Sequence, residues 1–217
     1  KKAAELEAYE TIEHSKGDLV KRIAVLTSAM EDLSRKLSES RHGALESIRH
    51  KLNGYLSMLY LREATLELER CDLNPYGRDK AVLGLAGTRL DKLSSGEFNR
   101  LRLALLALGV ETMRETGGVL MLDEIDANLS GEESMSVAKV LRHLSKKYQI
   151  FVISHQPQLT SMGEQHFLIY KDDESRVREL SAQERIEEIA RIISGEGISE
   201  EATRFARELF ERSQGSL

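Results

Sequence analysis

The sequence predicts an α/β fold, a parallel β-sheet core with helices, preceded by a long coiled-coil helix. Three observations lead there. Near the amino end apolar residues recur at alternating steps of three and four, around residue 64 the period changes to two, and two apolar runs at 117–124 and 149–155 flank one helical segment. Strand, helix, strand at that spacing implies a right-handed parallel crossover.

Bulk properties narrow the class. A chain of 217 residues with 41% hydrophobic residues holds enough apolar surface for a core. The longest apolar stretch, around Leu103 to Leu108, is far short of the roughly 18 residues of a membrane span. No secretory signal is visible, and the start at Lys1 in charged, helix-favouring residues without an initiator methionine reads as a piece of a longer protein. The single cysteine, Cys71, excludes an internal disulfide or a cysteine zinc cluster and fits a cytoplasmic location. A net charge of −5 argues against a surface coated for nucleic acid. Within Ser34 to Asn53, Arg35, Lys36, Arg41, Arg49 and Lys51 outnumber Glu39 and Glu46, which makes either a local basic patch or a solvated helix face.

The elements follow in order. Tyr9, Ile12, Lys16, Leu19, Ile23, Leu26, Met30, Leu33 and Leu37 form a narrow heptad seam, suited to a coiled-coil partner, with Gly17 as its weak point. Arg41, His42 and Gly43 interrupt the seam, and it restarts at Leu45, Ile48, Leu52, Tyr55 and Leu59, as expected where a coiled coil enters a globular body. The expected division is a coiled-coil helix at 1–44 and a globular lobe at 45–217. Alternation from Ala64, the turn Asn74-Pro75-Tyr76-Gly77, and Ala81 to Leu85 predict an antiparallel strand pair. The runs ending at Glu124 and His155 read as strands buried on both faces, and 166–171 as a third buried strand. Ser130 with Glu133 is a capping box for a helix to about Lys147. Ser181 with Glu184, and Ser199 with Ala202, start helices at about 182–194 and 200–213, and the tail from Ser213 to Ser216 is expected to fray.

Chemistry concentrates at three places. In "LSSGE" (93–97) two serines and a glycine open an apolar helix, which suits either ordinary capping or an anion held at an open helix N-terminus. Asp123 and Glu124 end a buried strand, where open parallel sheets bind ligands; they either terminate the strand in solvent or divide labour between Mg²⁺ and an attacking water. His155 ends the neighbouring strand, as a structural histidine or as a partner for a phosphate oxygen.

In this order the segments resemble a known family. "LSSGE" resembles the signature motif of ATP-binding-cassette ATPases, "VLMLDE" (119–124) their Walker B strand, "DANLSG" (126–131) the D-loop and "ISH" (153–155) the switch histidine. The arm feeding into the head, with "LNPYGRDKAVLGLAG" (73–87), "SHQPQLTSMGEQHFLIYK" (154–171) and "EEATRFARELF" (200–210), is more closely similar to the RecN family of bacterial DNA-repair ATPases, relatives of the SMC proteins. The resemblance is specific from about Leu45 to Leu209. It implies the carboxy-terminal lobe of an ABC-type head, with ATP and Mg²⁺ as cofactors.

By position, the resemblance gives Asp123 to Mg²⁺, Glu124 to the attacking water and His155 to the γ-phosphate. The turn Ser94, Ser95, Gly96 and Glu97 becomes the nucleotide-contacting segment, with Ser94 and Gly96 meeting ATP bound to another head. Asn128, Leu129 and Ser130 would cross a homodimer interface. Ser95 departs from the family's usual glycine and adds a Cβ and a hydroxyl where backbone approaches phosphate.

No G-x-x-x-x-G-K-[ST] loop occurs in the chain, so the resemblance implies half a head whose other, amino-terminal lobe is its partner, and a fragment inactive alone. DNA and recombination proteins are the further partners implied, with a cytoplasmic, nucleoid-associated location and no membrane. Two alternatives stay open: another SMC-like chromosome-maintenance scaffold head without hydrolysis, against which Asp123, Glu124 and His155 together argue, and an ABC transporter ATPase subunit, which would lack the arm.

Overall fold

A computed structural model describes the chain apart from residues 1, 113–116, 124, 196 and 216–217, and describes backbone only at 3–11 and 214–215. Its elements are α1 (Lys2–Met58), β1 (Ala64–Asn74), β2 (Gly77–Leu85), β3 (Thr88–Arg89), a 3₁₀ turn (Leu90–Lys92), α2 (Ser95–Thr112), β4 (Val119–Asp123), α3 (Gly131–Ser145), β5 (Gln149–Ile153), α4 (Pro157–Met162), β6 (Phe167–Lys171), β7 (Ser175–Glu179), α5 (Ala182–Ser194) and α6 (Glu200–Gly215). Contacts divide the chain into two compact units, Lys1–Ser47 with Leu66–Val82, and Ile48–Thr65 with Leu83–Leu217.

The first unit is the greater part of α1 with the tip of the β1–β2 hairpin. Helix α1 runs without a break through Arg41, His42 and Gly43, so the seam changes there but the hydrogen-bond ladder does not. Ile12, Leu19, Ile23, Leu26, Met30 and Leu33 are exposed. Ser38 donates to Asp79, and Arg41 pairs with Asp79 at 3.3 Å and donates to the Tyr76 carbonyl at 2.7 Å. These bonds, the Ser38 hydroxyl first, hold the Asp79 carboxyl below the usual range. The hairpin turn is set by Asn74, whose Oδ1 accepts from Tyr76 N at 2.8 Å.

The cations of Ser34–Asn53, open to reading as a basic patch or as a solvated helix face, meet carboxylates at several positions. Arg35 pairs with Asp32 and Glu39, and Lys36 with Asp32 at 2.8 Å. Arg41 pairs with Asp79, and in the second unit Lys51 pairs with Glu111 at 3.0 Å. Glu39 lies one turn along the same helix, Asp32 just upstream of the segment, and Asp79 and Glu111 on other elements, where no local spacing marks them.

The second unit holds the core. Leu52, Tyr55 and Leu56 of α1 and Leu59 just after it pack with Leu101, Ala104, Ala107 and Leu108 of α2 and with Val137, Val140, Leu141 and Leu144 of α3. Helix α1 stops where Tyr60 turns to φ +55°, letting Leu61 N reach back to Leu56 O at 2.9 Å. The parallel crossover is present: β4 pairs with β5 in the register Val119↔Gln149 to Asp123↔Ile153.

Other expectations are corrected. Strands β4 and β5 are covered on one face only; Val119, Met121, Phe151 and Ile153 are exposed, whereas Leu122, Ile150 and Val152 turn toward the core. No described element lies over the exposed side, and a run of apolar residues cannot reveal whether its second cover is on the same chain. Strand β6 is not joined to this sheet; it pairs antiparallel with β7, from Phe167↔Glu179 to Lys171↔Ser175. It is largely exposed rather than buried, because its partner is the polar segment 175–179.

Helices α5 and α6 form a smaller apolar cluster of Ile186, Ile189, Ala190, Ala202, Ala206 and Leu209. Ser213, expected in a frayed tail, is buried and donates to Ser161 O at 2.7 Å, so α6 is pinned at its end.

Candidate functional site

The site is assembled in the second unit from the first turn of α2, the loop between β4 and α3, and the end of β5. Helix α2 begins at a capping box: Ser94 Oγ accepts from Glu97 N at 3.3 Å and donates to Glu97 Oε2 at 2.9 Å, while Ser94 N donates to the same oxygen at 3.0 Å. Bonds to Ser94, the backbone one first, pull the Glu97 carboxyl below its ordinary range. Capping and an open N-terminus are therefore compatible. The box satisfies Glu97 N, and the N–H groups of Ser95 and Gly96 remain in a first turn that has no intrahelical acceptors for them. Ser94 and Ser95 are exposed.

The loop after β4 crosses this turn. Asn128 adopts φ +61°, a left-handed conformation that asparagine tolerates better than most residues, and its Nδ2 donates to Ser95 Oγ at 3.2 Å. Leu129 is buried beside Gly96, where an added Cβ would lie 3.2 Å from Leu129 Cδ2 and 3.4 Å from Asn128 O. Glycine at 96 is what allows the loop this close. Ser130 then caps α3 in a second box, Glu133 N to Ser130 Oγ at 3.4 Å and Ser130 N to Glu133 Oε2 at 2.9 Å.

Asp123 ends β4 opposite Ile153, so the pairing register brings Asp123 and His155 to one sheet edge. Both are exposed. Glu124 lies outside the described residues. The structure thus brings together Ser94, Ser95, Gly96, Glu97, Asn128, Leu129 and Ser130, and places Asp123 and His155 at the adjoining strand ends.

Sequence reasoning missed three side chains that join these parts. Arg100, buried, donates to Gly96 O at 3.3 Å and Leu59 O at 3.0 Å and pairs with Glu133 at 2.7 Å. Its signal was available: Arg100 stands one turn from both Gly96 and Ala104, on the face that packs inward. Asp126 is wholly buried and accepts from Ser154 Oγ, which in turn accepts from Gln156 N at 3.0 Å. Nothing local marks that pair, whose members are 28 positions apart.

Among the described residues no three His, Cys, Asp or Glu side chains stand close enough to hold a metal between them. A single strand-end carboxylate suits Mg²⁺ bound mainly through phosphate and water, and does not suit a cation caged by protein. The first turn of α2, with exposed serines at 94 and 95 and N–H groups that have no intrahelical acceptor, suits an anion.

No family model matches the chain. Its sequence is similar to curated proteins named DNA repair protein RecN. It is 38% identical over 205 residues to that of Helicobacter pylori, covering 94% of this chain and 39% of the relative. With that of Rickettsia bellii it shares 31% identity over 201 residues, covering 86% and 36%. The chain therefore spans well under half the length of these relatives. In structure it is similar to the Smc head domain with a coiled coil and joint from Pyrococcus yayanosii, with a TM-score of 0.58 and 21% identity over 73% of this chain and 31% of that one. It is also similar to a chain from a study of ATP-driven dimerisation and DNA-stimulated activation of SMC ATPases, with a TM-score of 0.55 and 22% identity over 74% of this chain and 99% of that one. At these identities the likeness establishes the fold.

Proposed function

Because the chain is of the RecN type in sequence and has the fold of an Smc head, we propose that it is the carboxy-terminal lobe and one coiled-coil strand of an ATP-dependent DNA-repair ATPase. The observation that carries the reading is the loop Asn128–Ser130 seated on the exposed first turn of α2, one strand end away from Asp123 and His155. One surface of the lobe then serves its own nucleotide, and another serves a nucleotide on a second head.

In this reading Mg²⁺ would supply charge neutralisation of the phosphates, with Asp123 holding it. Glu124 orients and deprotonates the attacking water, and His155 hydrogen-bonds the γ-phosphate. The Ser95 and Gly96 N–H groups meet the γ-phosphate bound to the other head, at the positive end of the α2 dipole, joined by the Ser94 hydroxyl when its proton turns from Glu97. Glu97 keeps that turn formed, and Asn128, Leu129 and Ser130 lie across the dimer interface. The exposed β4–β5 face receives the amino-terminal lobe, which carries the phosphate loop this sequence lacks. Alone, the chain has no cradle for the β- and γ-phosphates and does not turn ATP over. DNA is held by the assembled heads and arms, in a protein working in the cytoplasm on the nucleoid and meeting recombination proteins there.

The test is sedimentation of the complete head, this chain joined to its amino-terminal lobe and carrying Glu124→Gln, with and without ATP and Mg²⁺. An ATP-dependent dimer that is lost on Ser94→Arg is the expected result. A monomer under both conditions overturns the sandwich and puts a non-catalytic scaffold in its place.

A further inference from the structure

We infer that Asp126 and Ser154 are positioning residues that hold His155 against the end of β4, an inference that rests on the ATPase reading above. Asp126 is wholly buried, and one carboxylate oxygen accepts from Ser154 Oγ. The other, Oδ1, is buried with no hydrogen-bond partner among the described residues. Placing a carboxylate there costs desolvation that a small apolar residue would avoid. The return is geometric.

Ser154 uses both capacities of its hydroxyl. It donates to Asp126, in the loop that follows Asp123, and accepts from Gln156 N at 3.0 Å. His155 therefore sits between two residues joined through one oxygen, itself bonded to the other strand's loop, while its own ring stays exposed. The loop end is closed as well, since Asp126 O accepts from Leu129 N at 3.3 Å. Among the described residues the last pair of the parallel ladder is Asp123↔Ile153, and the Asp126–Ser154 bond lies beyond it. There it ties the loop after Asp123 to the residue before His155.

The experiment uses the complete head and replaces both partners together, Asp126→Leu with Ser154→Ala, so that neither member of the pair is left buried without the other and only the Gln156 N–H loses its acceptor. The pair should lower kcat roughly tenfold or more, while KM for ATP moves less than about twofold. Amide exchange at Gln156 should quicken, and Ser154→Thr alone, which keeps the hydroxyl, should behave as wild type. In a His155→Ala background the same pair should cost nothing further, because the histidine it positions is gone. Wild-type rates in the double variant, or losses that multiply with His155→Ala, overturn the positioning role. A wild-type head that turns over no ATP instead brings down the ATPase reading and the role with it, leaving the Gln156 exchange to report the tether alone.

Discussion

Arg100 shows how one side chain can tie a site to its scaffold. Its guanidinium bridges the carbonyls of Leu59 and Gly96 and the carboxylate of Glu133, linking the end of α1, the first turn of α2 and the cap of α3. Glu133 is itself held ionised, by the Ser130 N–H first, so the pair stays charged. Arg100→Ala takes the side-chain donor from the Leu59 carbonyl and the cation from beside Glu133, and should destabilise the lobe by about 2–3 kcal/mol, read from urea unfolding. A loss under about 0.5 kcal/mol would mean that water replaces the guanidinium at no cost.

Helix ends and turns carry the next scale. Glu184 caps α5 through Ser181 N at 2.8 Å and the Ser181 hydroxyl, with Arg178 adding its charge, and its carboxyl is pulled down to about 2 from an ordinary 4.5. A depressed carboxyl stabilises the folded form fully above its unfolded value. That contribution declines as pH falls below 4.5 and is gone below about 2. Carbon NMR of Glu184 should therefore show titration near 2, and a midpoint near 4.5 would mean that the capping box is open in solution. In the hairpin, Gly77 has φ +104°, and an added Cβ would lie 3.0 Å from Leu37 Cδ2 and 3.2 Å from Arg41 Nη1. Gly77→Ala should cost about 1–3 kcal/mol from backbone strain and loosen the hairpin tip from α1. Unchanged amide exchange at Tyr76 and Arg78 would count against that docking.

For the whole molecule the exposed sheet face is decisive. Met121 is 80% exposed on β4, flanked by Val119, Phe151 and Ile153, in a run whose composition suits burial. Met121→Lys should change the stability of this chain alone by less than about 0.5 kcal/mol. It should nonetheless prevent association with a separately produced amino-terminal lobe, measured by calorimetric titration. Association at wild-type strength would show that the lobe docks elsewhere.

Much of this was legible in the chain itself, because the signals are local. The heptad spacing of α1, the Ser130–Glu133 capping box and the Asn74–Gly77 turn depend on residues within a few positions of one another, where spacing fixes geometry, and the β4–α3–β5 crossover on the order of three short segments. The order of the site segments, from Ser94 through Asp123 to His155, was legible too. Tertiary structure decided what depends on distant partners. It paired Arg41 with Asp79 and Lys51 with Glu111, paired β6 with β7, pinned Ser213 and left one face of β4 and β5 uncovered. It also joined Asp126 to Ser154, and Arg100 to Leu59 and Glu133. These contacts follow from how packed elements meet, and an ion pair or buried hydrogen bond between residues far apart in sequence leaves no periodicity to read.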